Sequence, residues 1–533
     1  MASTVRALAV SAALAGAGLL AAKAAQARRE DAVRPVLSVE GRTPRILIAG
    51  GGYIGLYTAL ALRKRIGRQD AEIAVVDPHP YMTYQPFLPE AAAGSIEPRH
   101  VVTSLRRELS GATVLTGSIA EIRHGEQTAV IAPSNGDDSY EVTYDHLVVG
   151  LGSVARALPI PGLAEHAIGF KHIEEATALR NQVLGKLAEA ASTWDPEKRR
   201  RMLTFVFVGG GFAGIEALGE IEDMARTATR EYDSIEASDL RFVVVEGMGR
   251  ILPEVGEELG GYAIEQLRER GVEIHLNTFL NSCVDNKIEL SSGETFEADT
   301  IVWTAGVKAN PVLDNTDLPL DDRGRVRTNT KLQVVTAEGD VVKNAWAAGD
   351  CAAVPDIAGN PTPDGTCAPT AQHAVRQGRH LGANLVRALS DEPLEDYCHE
   401  NMGTVASLGL YKGVAQIMGH KFRGPLAWFM HRSYHVLAMP SMERRVRILL
   451  DWTSALFFHR ELVPLGALQN PRAAWERVTG QTPPKGGPSG AGQSGATGSP
   501  QPAEPEPSKD SEDSQASAKR DSSSKSSTGS TQG

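Results

Sequence analysis

Aromatic residues make up only 5% of the 533 positions, and the four cysteines include no close pair. Scattered cysteines exclude a disulfide scaffold and a zinc site built on paired Cys ligands. Positive charge is also in deficit: 54 Lys and Arg face 65 Asp and Glu, a net charge of −11. That balance excludes the broad basic surface with which nucleic-acid binders meet phosphate, so no nucleic acid is expected as a partner. No charge-free apolar run reaches the ~18–20 residues of a membrane span, which excludes a multi-span membrane protein. Glycine, in contrast, is abundant, with 53 residues. The 42% hydrophobic and 22% charged content is that of an ordinary soluble globular protein. A chain of 533 residues is too long for one core and points to roughly three domains.

The charge is unevenly spread. Residues 1–45 carry +4, residues 46–420 carry −19, residues 421–480 carry +5 and residues 481–533 carry −1. An acidic body is flanked by two basic segments, a polarity suited to docking both ends on an anionic membrane. Residues 7–22 form an Ala/Leu/Val-rich run followed by Lys23, Arg28 and Arg29. Three readings of this segment, 1–43, stay open. It is a short membrane anchor whose basic flank keeps the body on the cytoplasmic side. Or it is a secretory signal ending near Ala25-Gln26-Ala27, or an organellar transit peptide, since no acid precedes Glu30. Residues 481–533 are Ser, Gly, Pro and Gln with mixed charge, a composition that buries no core and reads as a disordered tail.

Two glycine-rich turns carry the chemistry. Gly50-Gly51-Gly52-Tyr53-Ile54-Gly55 follows a short apolar run, 45–49, and opens a helical pattern that ends near Arg65. This is the G-x-G-x-x-G arrangement of a dinucleotide site. Gly50 makes the tight turn, Gly52 lets the backbone approach a pyrophosphate, and Gly55 permits close helix–strand packing. The free N–H groups and positive dipole end of the helix then face the phosphates. Asp77 ends the next strand, where a carboxylate binds ribose hydroxyls. The pattern recurs in Gly209-Gly210-Gly211-Phe212-Ala213-Gly214, and Glu246 ends the strand that follows. A carboxylate at that position accepts from an adenosine 2′-OH and repels a 2′-phosphate, which favours NADH over NADPH. Arg250 lies close enough to soften that preference. Two such turns imply two dinucleotides, with hydride transfer between them the economical explanation; in proteins with two such turns FAD normally takes the first and a nicotinamide the second.

Further motifs narrow the family. Asp145-His146-Leu147-Val148-Val149-Gly150-Leu151-Gly152-Ser153 is a strand-to-glycine crossover, and residues 299–307 repeat it. Later come Ala345-Trp346-Ala347-Ala348-Gly349-Asp350 and Ala371-Gln372-His373-Ala374-Val375-Arg376-Gln377. With Tyr84-Gln85-Pro86-Phe87-Leu88, these make residues 44–466 resemble the type II NADH dehydrogenases, single-subunit NADH:quinone oxidoreductases of the two-dinucleotide-binding flavoproteins. The resemblance implies non-covalent FAD, NADH as substrate and a membrane quinone, menaquinone or ubiquinone, as acceptor. It implies that Gly349 and Asp350 hold the FAD ribitol at a helix start and that Gln85 lines the isoalloxazine. Gln372 would contact the quinone headgroup, and Glu216 would stand at the nicotinamide–flavin junction. A helix-terminal carboxylate satisfied by the dipole is the plainer reading of Glu216. For Gln372 the plainer reading is a surface helix with polar residues facing water, which applies equally to His373 and Gln377.

Cysteine placement separates this chain from its cousins. Disulfide reductases need a close Cys pair and sulfide:quinone reductases an early and a late Cys, whereas here the first is Cys283. Cys351 and Cys367 read as packing residues. Near the end, Val446, Leu449, Leu450, Thr453, Leu456 and Phe457 recur at helical spacing, with Arg444, Arg445, Arg447, Asp451 and Ser454 opposite. With Trp428, Phe429, Arg432 and Tyr434 upstream, this reads as an amphipathic foot lying in the surface of a lipid bilayer. A core-facing helix has the same periodicity.

The expected fold is therefore α/β, two Rossmann-like domains plus a C-terminal amphipathic membrane-docking module. Residues 44–155 and 306–399 form the discontinuous FAD domain, 156–305 the NADH domain and 400–470 the module. The expected activity is FAD-dependent electron transfer from NADH to quinone without ion pumping, in a respiratory chain at the cytoplasmic face of the cell membrane. The enzyme is peripheral or held by the N-terminal anchor, and a homodimer is compatible with it. The rivals are a soluble NADH oxidase or ferredoxin-type reductase, a sulfide:quinone reductase relative, and a flavin-binding redox sensor or scaffold.

Overall fold

The computed structural model describes residues 42–466, apart from 68, 360, 401, 402 and 459, together with Trp475 and Val478. The apolar run 7–22 and the tail 481–533 lie outside the described residues.

The first sheet starts at β1 (Arg45–Ala49), followed by α1 (Tyr53–Arg65) and β2 (Glu72–Asp77). A short helix, α2 (Leu88–Ala92), precedes β3 (Thr113–Arg123), β4 (Thr128–Pro133), β5 (Tyr140–Thr143) and β6 (His146–Val149). β1 pairs in parallel with both β2 and β6. α1 begins directly at Gly52 and ends on Arg63, Lys64 and Arg65, cations that suit the negative end of a helix.

The second sheet is wholly parallel and intervenes in the chain. It comprises β7 (Ala167–Gly169), β8 (Thr204–Val208), β9 (Arg241–Val245), β10 (Glu273–His275) and β11 (Thr300–Trp303) in the order β7-β11-β8-β9-β10. α3 (Ile173–Ala191) and α4 (Phe212–Ala228) connect its early strands. Side chains of β8 and β9 alternate between two cores. Phe205, Phe207, Phe242 and Val244 enter one, whereas Val206, Val208, Val243 and Val245 enter the other. A parallel sheet covered on both faces needs apolar residues at both phases of the pleat, which explains the uninterrupted apolar runs.

The chain then returns to the first sheet through β12 (Gln333–Val335) and β13 (Val341–Ala347), completing the order β12-β13-β6-β1-β2-β3-β4-β5. α5 (Ala371–Leu389) lies against α1. Its small residues make that approach: a Cβ on Gly382 would come within 2.6 Å of the Ala61 Cβ, and one on Gly378 within 3.1 Å of the Ile54 carbonyl. Thr58 Oγ1 donates to the Gly378 carbonyl across the same seam, at 3.0 Å.

The last elements are an antiparallel trio, β14 (Gly403–Ser407), β15 (Gly413–Ile417) and β16 (His420–Arg423), then α6 (Gly424–Ala438) and α7 (Met442–Phe458). α7 turns Ile448 inward and exposes Val446, Leu449, Leu450, Leu456 and Phe457, the last two by 72% and 74%. An ordinary core-facing helix would have buried that stripe. One expectation is corrected here: Arg432, grouped with the interfacial residues, is buried. Its guanidinium stacks over Trp428 and Trp452, and its Nε lies 3.3 Å from Glu90 Oε1. Among the described residues no helix is long and apolar enough to cross a membrane.

Candidate active site

Each of the two large sheets carries a glycine turn after a parallel strand, and the two are built alike. Gly50 has φ +102°, and a Cβ there would meet the Gly150 carbonyl oxygen at 2.4 Å. A Cβ on Gly55 would come within 1.9 Å of the Gly50 carbonyl oxygen, whereas one on Gly52 meets nothing within 4 Å. The loop is thus drawn tight on its protein side and left open on the other. The first intrahelical bond of α1 runs from Leu56 N to Gly52 O, at 2.9 Å. The amides of Tyr53, Ile54 and Gly55 therefore have no partner inside the helix. That open side with outward amides fits a dinucleotide pyrophosphate. The acid at the end of β2 also braces the loop: Asp77 accepts from Gly51 N at 2.7 Å and from His79 N at 2.8 Å.

At the second turn Gly209 has φ +114°, and a Cβ on Gly214 would lie 2.1 Å from the Gly209 carbonyl oxygen. Gly211 again faces open space. Glu246 accepts from Gly210 N at 2.5 Å and from Met248 N at 2.6 Å. Both acids thus hold the second residue of the turn, Gly51 or Gly210, in place while each oxygen keeps lone-pair capacity for a ribose hydroxyl. Thr304, at the end of β11, closes the turn from beneath, donating to the Val208 and Gly209 carbonyls at 3.0 and 3.2 Å.

The crossover glycines, the late Gly-Asp motif and α5 converge on Ile54. Its side chain would be met by Cβ atoms on Gly150 and Gly349 at 2.7 and 2.8 Å. Gly349 N donates to the buried Gln377 Oε1 at 2.8 Å, so Gln377 is a brace rather than a surface residue. Asp350 accepts from Ser153 Oγ at 2.7 Å, and Ser153 is in turn bonded by Lys171 Nζ. Burial pulls the Lys171 ammonium below its usual range, against the pull of Asp350 and Glu175. A cavity of about 580 Å³ opens here, touching Ser153, Gly349, Asp350, Thr370, His373 and Gln377. Asp350 is the middle residue of a single 3-10 turn, Gly349–Cys351, not the start of a longer helix. The chain then extends to pair Ala352 and Ala353 with Val326 and Arg327.

Gln372 and Glu216 hang on one strand. Gln372 Nε2 donates to the Gly403 carbonyl at 3.0 Å, at the start of β14. Glu216 Oε1 accepts from Ser407 N at 2.9 Å, at its end. Glu216 is buried beyond the first turn of α4, with His431 Nε2 at 3.0 Å. Its partners are therefore side chains and strand, not the helix dipole. Gln85 opens a 3-10 turn, Gln85–Phe87, beside the aromatic pair Tyr53 and Tyr84, whose ring centroids are 6.2 Å apart.

The pyridine nucleotide-disulphide oxidoreductase family matches residues 44–378. Type II NADH:quinone oxidoreductase of Staphylococcus epidermidis is 31% identical over 392 residues, 73% of this chain and 93% of that protein. The Staphylococcus aureus enzyme of that name is 30% identical over 394 residues, with the same coverage. The chain belongs to the type II NADH:quinone oxidoreductases. Its fold is also that of NDH2 from Plasmodium falciparum, solved in complex with NADH. The TM-score is 0.72 at 16% identity, covering 79% of this chain and all of that one.

Within this type II oxidoreductase, Cys351 and Cys367 keep to packing. Cys351 is buried, with burial pushing its thiol up to about 12, and partly buried Cys367 is pushed up to about 11. Neither offers a thiolate near neutral pH. Sequence reasoning missed Lys171, Glu90, Glu220, His431 and His435. For the last three a signal existed: Glu216 and Glu220, like His431 and His435, are spaced by four and share a helix face.

Proposed function

We propose that this chain catalyses NADH + H⁺ + quinone → NAD⁺ + quinol, holding FAD non-covalently at the Gly50 turn and NADH at the Gly209 turn. The single observation that carries this reading is two glycine cradles of one construction, each open where a pyrophosphate belongs, in one chain of this family. Bound FAD supplies the two-electron relay between nicotinamide and quinone. The protein's own groups bind and orient. Gly50, Gly52, Gly55 and Asp77 take the FAD phosphates and ribose, and Gly209, Gly211, Gly214 and Glu246 those of NADH. Gly349, Asp350 and the Gln85 segment position the ribitol and ring system. Gln372 orients the quinone headgroup, and Glu216 stands at the junction of the two substrates.

Residues 44–155 and 306–399 act as the FAD domain, 156–305 as the NADH domain and 400–470 as the docking module. The outward apolar stripe of α7 supports the last assignment, because an acceptor dissolved in lipid requires contact with a bilayer. The exposed Phe429 and Tyr434 on α6 suit the same interface. We assign the enzyme to the cytoplasmic face of the cell membrane as a peripheral protein. Anaerobic stopped-flow tests the function: NADH bleaches the flavin absorbance, and menaquinone or ubiquinone analogues restore it. Reoxidation by oxygen alone would instead support the soluble-oxidase reading.

A further inference from the structure

The connection between β7 and α3 reaches back to the site assigned above to FAD, and it does so at two points. The chain turns there through Phe170, Lys171 and His172. Glu175 folds back to hold the turn, its Oε2 accepting from Lys171 N at 2.6 Å and from His172 N at 2.9 Å. That approach needs Gly169, where a Cβ would stand 2.2 Å from Glu175 Oε1. At the first point Lys171 Nζ donates to Ser153 Oγ, and Ser153 donates to Asp350 Oδ2 at 2.7 Å. The direction of this chain is forced. An ammonium has only donors and a carboxylate only acceptors, so the single Ser153 proton must point at Asp350. Asp350 then has Oδ2 engaged and keeps Oδ1 for a ribitol hydroxyl. At the second point the Tyr81 hydroxyl bonds the Glu174 carboxylate, and the His172 ring lies 6.0 Å from that of His79. His79 N in turn donates to Asp77 Oδ1, at 2.8 Å. Residues 171–174 thus meet the surroundings of both acids of the first site, Asp350 at the ribitol end and Asp77 at the ribose end.

We propose that Lys171 is a positioning residue for FAD that acts through Ser153 on Asp350, so that the seating of the NADH domain sets how tightly the flavin is held. This rests on the reading under Proposed function. Ser153 and Asp350 belong to the two halves of the FAD domain, whereas Lys171 comes from the NADH domain. Without its ammonium the Ser153 hydroxyl turns freely, and Asp350 loses both a fixed orientation and a compensating charge. The Tyr81–Glu174 bond steadies the same segment from its other end.

The test uses the FAD-loaded full chain. Equilibrium dialysis against graded FAD reads the dissociation constant, and melting at saturating FAD, followed by tryptophan fluorescence, reads the fold. Lys171→Met and Ser153→Ala are each expected to weaken FAD binding about tenfold or more. Lys171→Arg, which keeps the charge and a donor, should recover most of that loss. The decisive comparison is the double variant: once Ser153 is alanine, Lys171→Met should weaken binding by less than about twofold further. A side chain that merely fills space would instead add its full loss in either background. Wild-type affinity in either single variant overturns the proposal. So does a double variant whose loss is the product of the two single losses, or a Lys171→Arg that binds no better than Lys171→Met. If Lys171→Met does not fold, Ser153→Ala alone decides it, because an unchanged dissociation constant there means that no relay reaches Asp350. A wild type that binds no FAD would defeat the functional reading instead, whereas a wild type and variants that bind it equally would leave that reading standing and defeat only this one.

Discussion

The two outer glycines of each turn and the middle one answer to different physics, and alanine separates them. In Gly214→Ala the new Cβ would lie 2.1 Å from the Gly209 carbonyl oxygen, about 1.3 Å inside the 3.4 Å where ordinary contact begins. Both partners are backbone, so no rotamer relieves the clash. Overpacking of this kind costs about 1–3 kcal/mol. In Gly211→Ala the Cβ meets nothing within 4 Å, and the residue's φ of −74° suits alanine, so the apoprotein should melt as the wild type does. The methyl group instead occupies space needed by the pyrophosphate. Losing one charged hydrogen bond costs about 1.5–3 kcal/mol, or roughly 10- to 150-fold in NADH affinity. Thermal melting, flavin absorbance at fixed protein concentration and NADH titration of the flavin bleach read the three quantities separately. Gly211→Ala should keep its FAD and its melting temperature and lose NADH affinity. Gly214→Ala should lose several degrees first. Equal melting losses in both variants, or undiminished NADH affinity in Gly211→Ala, would refute the reasoning.

Three further outcomes are expected. Glu246→Gln removes the charge facing the ribose but keeps an oxygen for Gly210 N, so the kcat/KM ratio of NADPH to NADH should rise about tenfold without loss of FAD. Burial holds the His146 imidazole down at about 4, with Lys343 adding to the effect and Asp145 opposing it. Its folded form is thus neutral, and its stability contribution is complete above the ordinary 6.5 and is lost as pH falls toward 4. The loss reaches about 3 kcal/mol, so the melting advantage of His146→Leu over wild type should grow between pH 7.5 and 4.5. Leu456→Glu with Phe457→Glu should abolish co-sedimentation with anionic vesicles while leaving reduction of a water-soluble quinone analogue intact, since both side chains face outward.

The two glycine turns were legible in the sequence because their geometry is local. A positive φ at Gly50 and a helix start at Gly52 need only residues a few positions apart, and the acids Asp77 and Glu246 follow at strand ends. Long-range contacts were beyond that reach. Periodicity left α7 open between core and surface, because an amphipathic helix has the same pattern wherever its apolar face points. Only the packing of Ile448, Asp451 and Trp452 against the body turned Leu456 and Phe457 outward. Arg432 looked like an interfacial cation until Glu90, more than three hundred positions earlier, was brought to 3.3 Å from it. The pairing of Glu216 with His431 belongs to the same class. The sequence by itself determined which dinucleotide cradles the chain builds, because turn chemistry is written in neighbouring residues. Tertiary structure decided which charges share the interior, because burial brings together groups that no spacing connects.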